Sequence, residues 1–163
     1  MIVFHEPTLR AELEEIMRTG HVQQSKFSLL VLVMVILAIG AKYATKDDVQ
    51  SCGCPDLDLA SLQSNLMRKI EEKLLEVLDQ DDIGSVQVCI LLSSIYLYHR
   101  RPKRCFVVVG AAMKAAQALG LHRESTWGCI DPVEREVRRR VWWALFVCEA
   151  CVIPLLLACS SLC

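Results

Sequence analysis

Apolar positions recur at three- and four-residue spacing along most of the chain, the period of an α-helix. Residues 7–19 place Leu9, Leu13, Ile16 and Met17 on one face. Pro7 suits a first helical position there, and Gly20 suits a left-handed cap. Residues 27–43 read "FSLLVLVMVILAIGAKY", with an unbroken apolar run over 29–39 flanked by Lys26 and Lys42. That pattern predicts a helix buried all round. As a helix, residues 27–41 span only ~22 Å, against ~30 Å for a bilayer core. A core helix is therefore the reading, and a short membrane span the alternative.

Residues 45–56 contain Asp47, Asp48, Cys52, Gly53, Cys54 and Pro55, and read as a loop. The next helix, about 57–79, carries the stripe Leu59, Leu62, Leu66, Ile70, Leu74, Val77 and Leu78. Asp81 and Asp82 are candidate caps for a helix running to about residue 98. Its apolar residues Val86, Ile90, Leu91, Ile95, Leu97 and Tyr98 occupy more than one side. Ser93 and Ser94 are small enough for close helix contact. Pro102 restarts the chain, and a helix over 103–119 aligns Phe106, Val109, Met113 and Ala116. Gly110 and the neighbouring alanines allow another helix to approach. Gly120 is placed as its cap, with Leu121 folding back on the helix end.

The last helix has the clearest start: Asp131 at the cap, Pro132 in the first turn and Glu134 completing a capping box. Val133, Val137, Val141, Ala144 and Cys148 define its apolar seam. Glu134 with Arg138, and Glu136 with Arg140, are i,i+4 pairs, each contributing ~0.2–0.5 kcal/mol on an exposed helix. Pro154 is expected to end or kink this helix. No hairpin signal and no repeat interrupts the pattern. The fold class predicted is all-α, an irregular bundle of about six helices.

Composition sharpens this picture. Of 163 residues, 53% are hydrophobic, which excludes disorder and fits one domain with buried helices. The net charge of −1 leaves no overall electrostatic footprint for nucleic acid. The nine cysteines are odd in number and lie mostly within apolar runs, and no secretory signal opens the chain. The thiols read as reduced, as in a nuclear or cytosolic protein. Cys52-x-Cys54 and Cys148-x-x-Cys151 do not supply the spacing of a four-ligand zinc site. The chain has no glycine-rich phosphate loop, Gly-x-Ser-x-Gly elbow or His-Glu-x-x-His, so no enzyme class is indicated.

Two segments carry a signature: "AAMKAAQALGLHRES" at 111–125 and "EREVRRRVWWALFVCE" at 134–149, joined by an acidic, proline-containing loop. "QVCILLSSIYLYHRRPKRCF" at 87–106 and the apolar run at 27–45, with Ala38, Gly40 and Ala41, agree with it. In this order the segments resemble the fungal-specific transcription factor domain, the middle homology region of fungal zinc-cluster transcription factors. The matching signature residues are Gly120, Leu121, His122, Arg123, Arg139, Arg140, Trp142 and Trp143.

The resemblance covers about 27–149, leaving 150–163 as a divergent tail within a single helical regulatory domain, 1–163. It departs from the family in showing no six-cysteine zinc cluster, and the chain reads as an incomplete domain.

The resemblance implies regulation of RNA polymerase II transcription in a fungal nucleus. Intramolecular contacts, co-regulators or a small effector would act on this domain, whose partners would be other domains or subunits of a factor. Zinc and DNA contact would belong to the absent cluster, with no cofactor in this chain. The alternatives are a small-molecule-sensing bundle without DNA binding and a membrane-anchored protein using 27–41.

Residue by residue, the signature reads as structural. His122 is expected to bond helix-end carbonyls or a nearby loop. The arginines read as a solvated or salt-bridged face, and Arg139 or Arg140 stacked near Trp142 or Trp143 would be a structural cation–π contact. One tryptophan anchors the core and the other meets a neighbouring helix or a partner. "RRPKR" at 100–104 reads as a solvated turn, with a nuclear localisation signal as its alternative.

Overall fold

The computed structural model describes residues 3–20, 26–51, 53–54 and 56–160. Among them are seven α-helices and no strand: α1 (Glu6–Thr19), α2 (Phe27–Tyr43), α3 (Lys46–Ser51), α4 (Leu59–Leu78), α5 (Ile83–Tyr98), α6 (Pro102–Ala118) and α7 (Pro132–Ser160). A 3-10 turn, Glu124–Thr126, joins α6 to α7. Cys52 and Pro55, both singled out in the sequence, lie outside the described residues.

Helix α5 is the centre. It packs most extensively on α6, then on α2 and α7, while α4 lies against the other side of α2. Its apolar residues occur all round rather than on one stripe, as a helix enclosed by neighbours requires. Ten of its sixteen residues are buried. Asp82 caps α5 by accepting the Ser85 N–H at 2.8 Å, and the Ser28 hydroxyl of α2 donates to the same carboxylate. This ties the first turns of two helices 54 residues apart in sequence.

The close approach at this point needs Gly84. A Cβ there would stand 2.8 Å from the Ser28 Oγ, whereas one at Gly110 would meet nothing within 4 Å. The small-residue contact expected at Gly110 is therefore at Gly84. Gly110 faces outward, and Ala112 and Ala116 make the buried approach of α6.

Polar ties join the other layers. Gln63 Nε2 of α4 donates to the Ala38 carbonyl of α2 at 3.3 Å. Glu71 of α4 accepts from Tyr96 OH at 3.0 Å and from Arg104 at 2.7 Å, linking α4, α5 and α6. Burial first, and the Glu71 carboxylate second, push the Tyr96 phenol up to about 12. Among the described residues every side-chain polar atom fully shut off from solvent has a partner, as a dry helical core demands.

Several expectations are corrected by packing. Residues 46–51 form α3 rather than loop. Thr45 and Asp48 make a reciprocal cap, with the Thr45 N–H donating to Asp48 at 2.8 Å and the Asp48 N–H to Thr45 Oγ1 at 3.2 Å. Helix α2 is not buried all round. Val31, Val35 and Ala38 face the core, while Leu37 is 53% exposed, because α4 and α5 cover only part of its circumference. Met17 and Phe106 leave their predicted faces and are exposed. Cys105 and Val108 occupy the position toward α5 that Phe106 was expected to fill. At the start of α7 Asp131 caps Val133 N–H at 2.9 Å, but Glu134 turns to Arg138 at 2.7 Å instead of closing the box. Helix α7 also does not end at Pro154, which lies inside it, but continues to Ser160.

Candidate functional site

The signature residues converge where α6 ends and α7 passes. Gly120 adopts φ +70°, the left-handed conformation that a residue without Cβ takes at little cost. The N–H groups of Gly120 and Leu121 donate to the carbonyls of Gln117 and Ala116 at 3.1 and 3.0 Å, a Schellman closure. Leu121 folds back into the core, as its position predicts, and is 3% exposed.

His122 is exposed and does not bond the helix-end carbonyls. Its ring lies 5.9 Å from that of Trp142, tilted by 46°. The Gly120 carbonyl instead accepts from Trp127 Nε1 at 3.1 Å, because the 3-10 turn brings Trp127 back under α6. Trp127 is buried, and sequence reasoning missed it. A lone large aromatic in an otherwise polar loop was the available signal. The side chain of Arg123 is exposed, while its carbonyl accepts from the Thr126 hydroxyl at 2.7 Å and shapes the turn.

From α7, Arg139 pairs with Glu124 of the turn and with Glu136 at 2.9 Å, and Arg140 pairs with Glu136 at 2.8 Å. Arg140 first, then Arg139, holds the Glu136 carboxyl below the usual carboxylate range. Glu124 first, then Glu136, raises Arg139. Neither arginine stacks on a tryptophan. Carboxylates on both sides occupy the guanidinium groups. Among the described residues the cation–π contacts are Lys42 over Tyr98 and Arg104 over Tyr96. These ion pairs are exposed and screened by water, so the turn is positioned chiefly by Leu121, Trp127 and Trp142.

The two adjacent tryptophans diverge. Trp142 is half-buried against the core. Trp143 points outward, 56% exposed, with Phe146 edge-on at 5.9 Å and Val147 also exposed one turn on. The basic turn at 100–104 is solvated, with Arg100, Arg101 and Lys103 exposed and Arg104 drawn to Glu71.

A cavity of about 490 Å³ lies between the N-terminal segment, α1, α2, α5 and α7. The segment is pinned by a buried bond: Gln87 Nε2 donates to the Val3 carbonyl at 2.7 Å. Sequence patterning could not reveal this space, since its walls come from five separated parts of the chain.

The thiols are spread through the bundle. Burial pushes the Cys89 thiol up to about 12 and Cys105 up to about 11, and raises Cys148. Among the described residues no three His, Cys, Asp or Glu side chains are grouped to hold a metal ion. No described helix is long and apolar enough to cross a membrane.

An all-helical domain organised around an α6–α7 junction is thus the class of protein defined here. Residues 2–153 match the family described as the fungal specific transcription factor domain, and the chain belongs to that family. It is 50% identical over 42 residues to transcription factor macR of Penicillium terrestre, covering 26% of this chain and 5% of that protein. It is 33% identical to transcription factor lepE of Aspergillus flavus over 90% of this chain and 17% of the relative. An uncharacterised transcriptional regulatory protein of Schizosaccharomyces pombe is 29% identical over 90% of this chain and 18% of its own length. The chain thus spans less than a fifth of the length of these relatives. No solved structure matches it at a significant level. The family and these relatives are transcription regulators.

Proposed function

We propose that this chain is a regulatory module of a fungal RNA polymerase II transcription factor. It acts in the nucleus by contact with other parts of that factor or with co-regulators. DNA contact and zinc would belong to a different part of such a factor. The observation that carries this reading is the division of labour at the signature. Gly120, Leu121 and Trp142 close the α6–α7 junction, while Trp143, Phe146 and Val147 remain exposed on α7 at helical spacing. Aromatic residues on a rigid helix are the usual anchors of protein interfaces. The nearby guanidinium groups of Arg138, Arg139 and Arg140 are engaged by glutamates, so they offer little to phosphates.

The test is a fusion of the whole chain to a heterologous DNA-binding module, tethered upstream of a reporter gene in a fungal host. Reporter output should change several-fold relative to the module alone. The double substitution Trp143→Ser, Phe146→Ser should abolish the change while leaving helix content intact. A wild-type fusion that leaves the reporter unmoved would overturn the proposal.

A further inference from the structure

We propose that the cavity beneath the N-terminal segment is a binding site for a small amphiphilic cation, an apolar body bearing a protonated amine. Its volume of about 490 Å³ falls in the range of small-molecule sites, ~300–1,000 Å³. The apolar surface comes from Leu29 and Leu32 of α2, Ile83 of α5 and Val137 of α7. Among the described lining residues are three carboxylates, Glu12, Asp131 and Glu134, and no lysine or arginine.

The polar groups divide by what they still offer. Asp131 is engaged in capping α7, and Glu134 is paired with Arg138. Glu12, half-buried on α1, is bound by neither duty, and the Lys26 ammonium that pairs with Glu15 lies near enough to feel its charge. Gln87 is 6% exposed and spends its N–H on the Val3 carbonyl, while its Oε1 makes no hydrogen bond to a described residue. His5 Nδ1 is taken up with the Thr8 hydroxyl at 2.8 Å.

What remains is acceptors and negative charge around an apolar pocket. That arrangement favours an ammonium donor and repels a carboxylate. A buried apolar tail supplies affinity without selecting among head groups, so the head-group preference is the discriminating quantity.

The experiment titrates the full chain, 15N-labelled, with n-decylamine, n-decanol and n-decanoate at neutral pH and low salt, below their micelle concentrations. The three probes share a tail and differ in head charge. Decylamine should saturate a site whose amide shifts centre on Leu32, Ile83 and Val137. It should bind on the order of tenfold more tightly than decanoate, with decanol between. Glu12→Gln should narrow that gap at unchanged helix content. Val137→Phe should block all three probes. If that variant loses its helix signal, Thr8→Trp at the exposed rim obstructs the same mouth.

Equal or tighter binding of decanoate would overturn the proposal. So would shifts centred on Trp143 and Phe146, or no binding of any probe. Binding is read on the chain alone, so its failure leaves the tethered-reporter result untouched, and the reverse holds.

Discussion

Helices α1 and α5 are of similar length, and their fates are opposite. Helix α1 has an amphipathic stripe and a clean left-handed cap at Gly20, yet none of its residues is buried. Helix α5 has almost no amphipathic bias and buries ten residues. A stripe shows which side faces a neighbour, while apolar residues all round show how many neighbours there are. Leu9, Leu13 and Ile16 are half-buried, Leu9 at the edge of the cavity, and the Lys26–Glu15 pair at 2.6 Å ties α1 to α2. A helix held this way is worth little to global stability, whereas α5 is part of every major contact except those between α2 and α4 and between α6 and α7.

The sharpest way to break this comparison is truncation in each helix. Leu92 of α5 is fully buried, and Leu92→Ala should destabilise the chain by ~2–5 kcal/mol, the cost of lost transfer energy plus a cavity. Leu13→Ala in α1 should cost under ~1 kcal/mol. Denaturant unfolding measures both, and equal losses would refute the division.

A smaller effect of opposite signs comes from glycine. Gly84→Ala at the α2–α5 crossing should cost ~1–3 kcal/mol, because the Ser28 hydroxyl it would strike is fixed by Asp82. Gly110→Ala, where the added Cβ meets open space in a helix, should instead stabilise by ~0.5–1 kcal/mol. Melting temperatures of the two variants, moving in opposite directions, are the readout.

The smallest effect is electrostatic, at the junction. The folded-state pKa of Glu136 lies below its ordinary value of 4.5, owing to Arg140 and then Arg139. Its contribution to stability is therefore complete above that value and is lost as pH falls through the depressed one. Arg140→Ala should return Glu136 toward 4.5, as followed by carboxyl NMR titration.

Much of the fold was legible because its signals are local. The Gly120–Leu121 closure, the Asp82 and Asp131 caps and the extents of α2, α4, α5 and α6 follow from residues within a turn or two of each other. Helix α3 was missed although Thr45 and Asp48 spelled its cap, because six residues carry too little apolar period to register. Phe106 was misassigned because two faces of α6 are apolar, and period alone does not say which one meets α5. Gly110 and Gly84 are both helical glycines, and only the position of Ser28 distinguishes them.

The sequence by itself determined that the chain is helical, where most helices begin and end, and to which family it belongs. Backbone capping and hydrophobic period act over a few residues and are written consecutively. Only the tertiary structure decided that Trp142 turns inward while Trp143 stays out, that Trp127 takes the Gly120 carbonyl, and that five separated segments border an open cavity with acidic residues in its lining. Those outcomes depend on which surfaces meet across long stretches of chain, and no local pattern encodes that geometry.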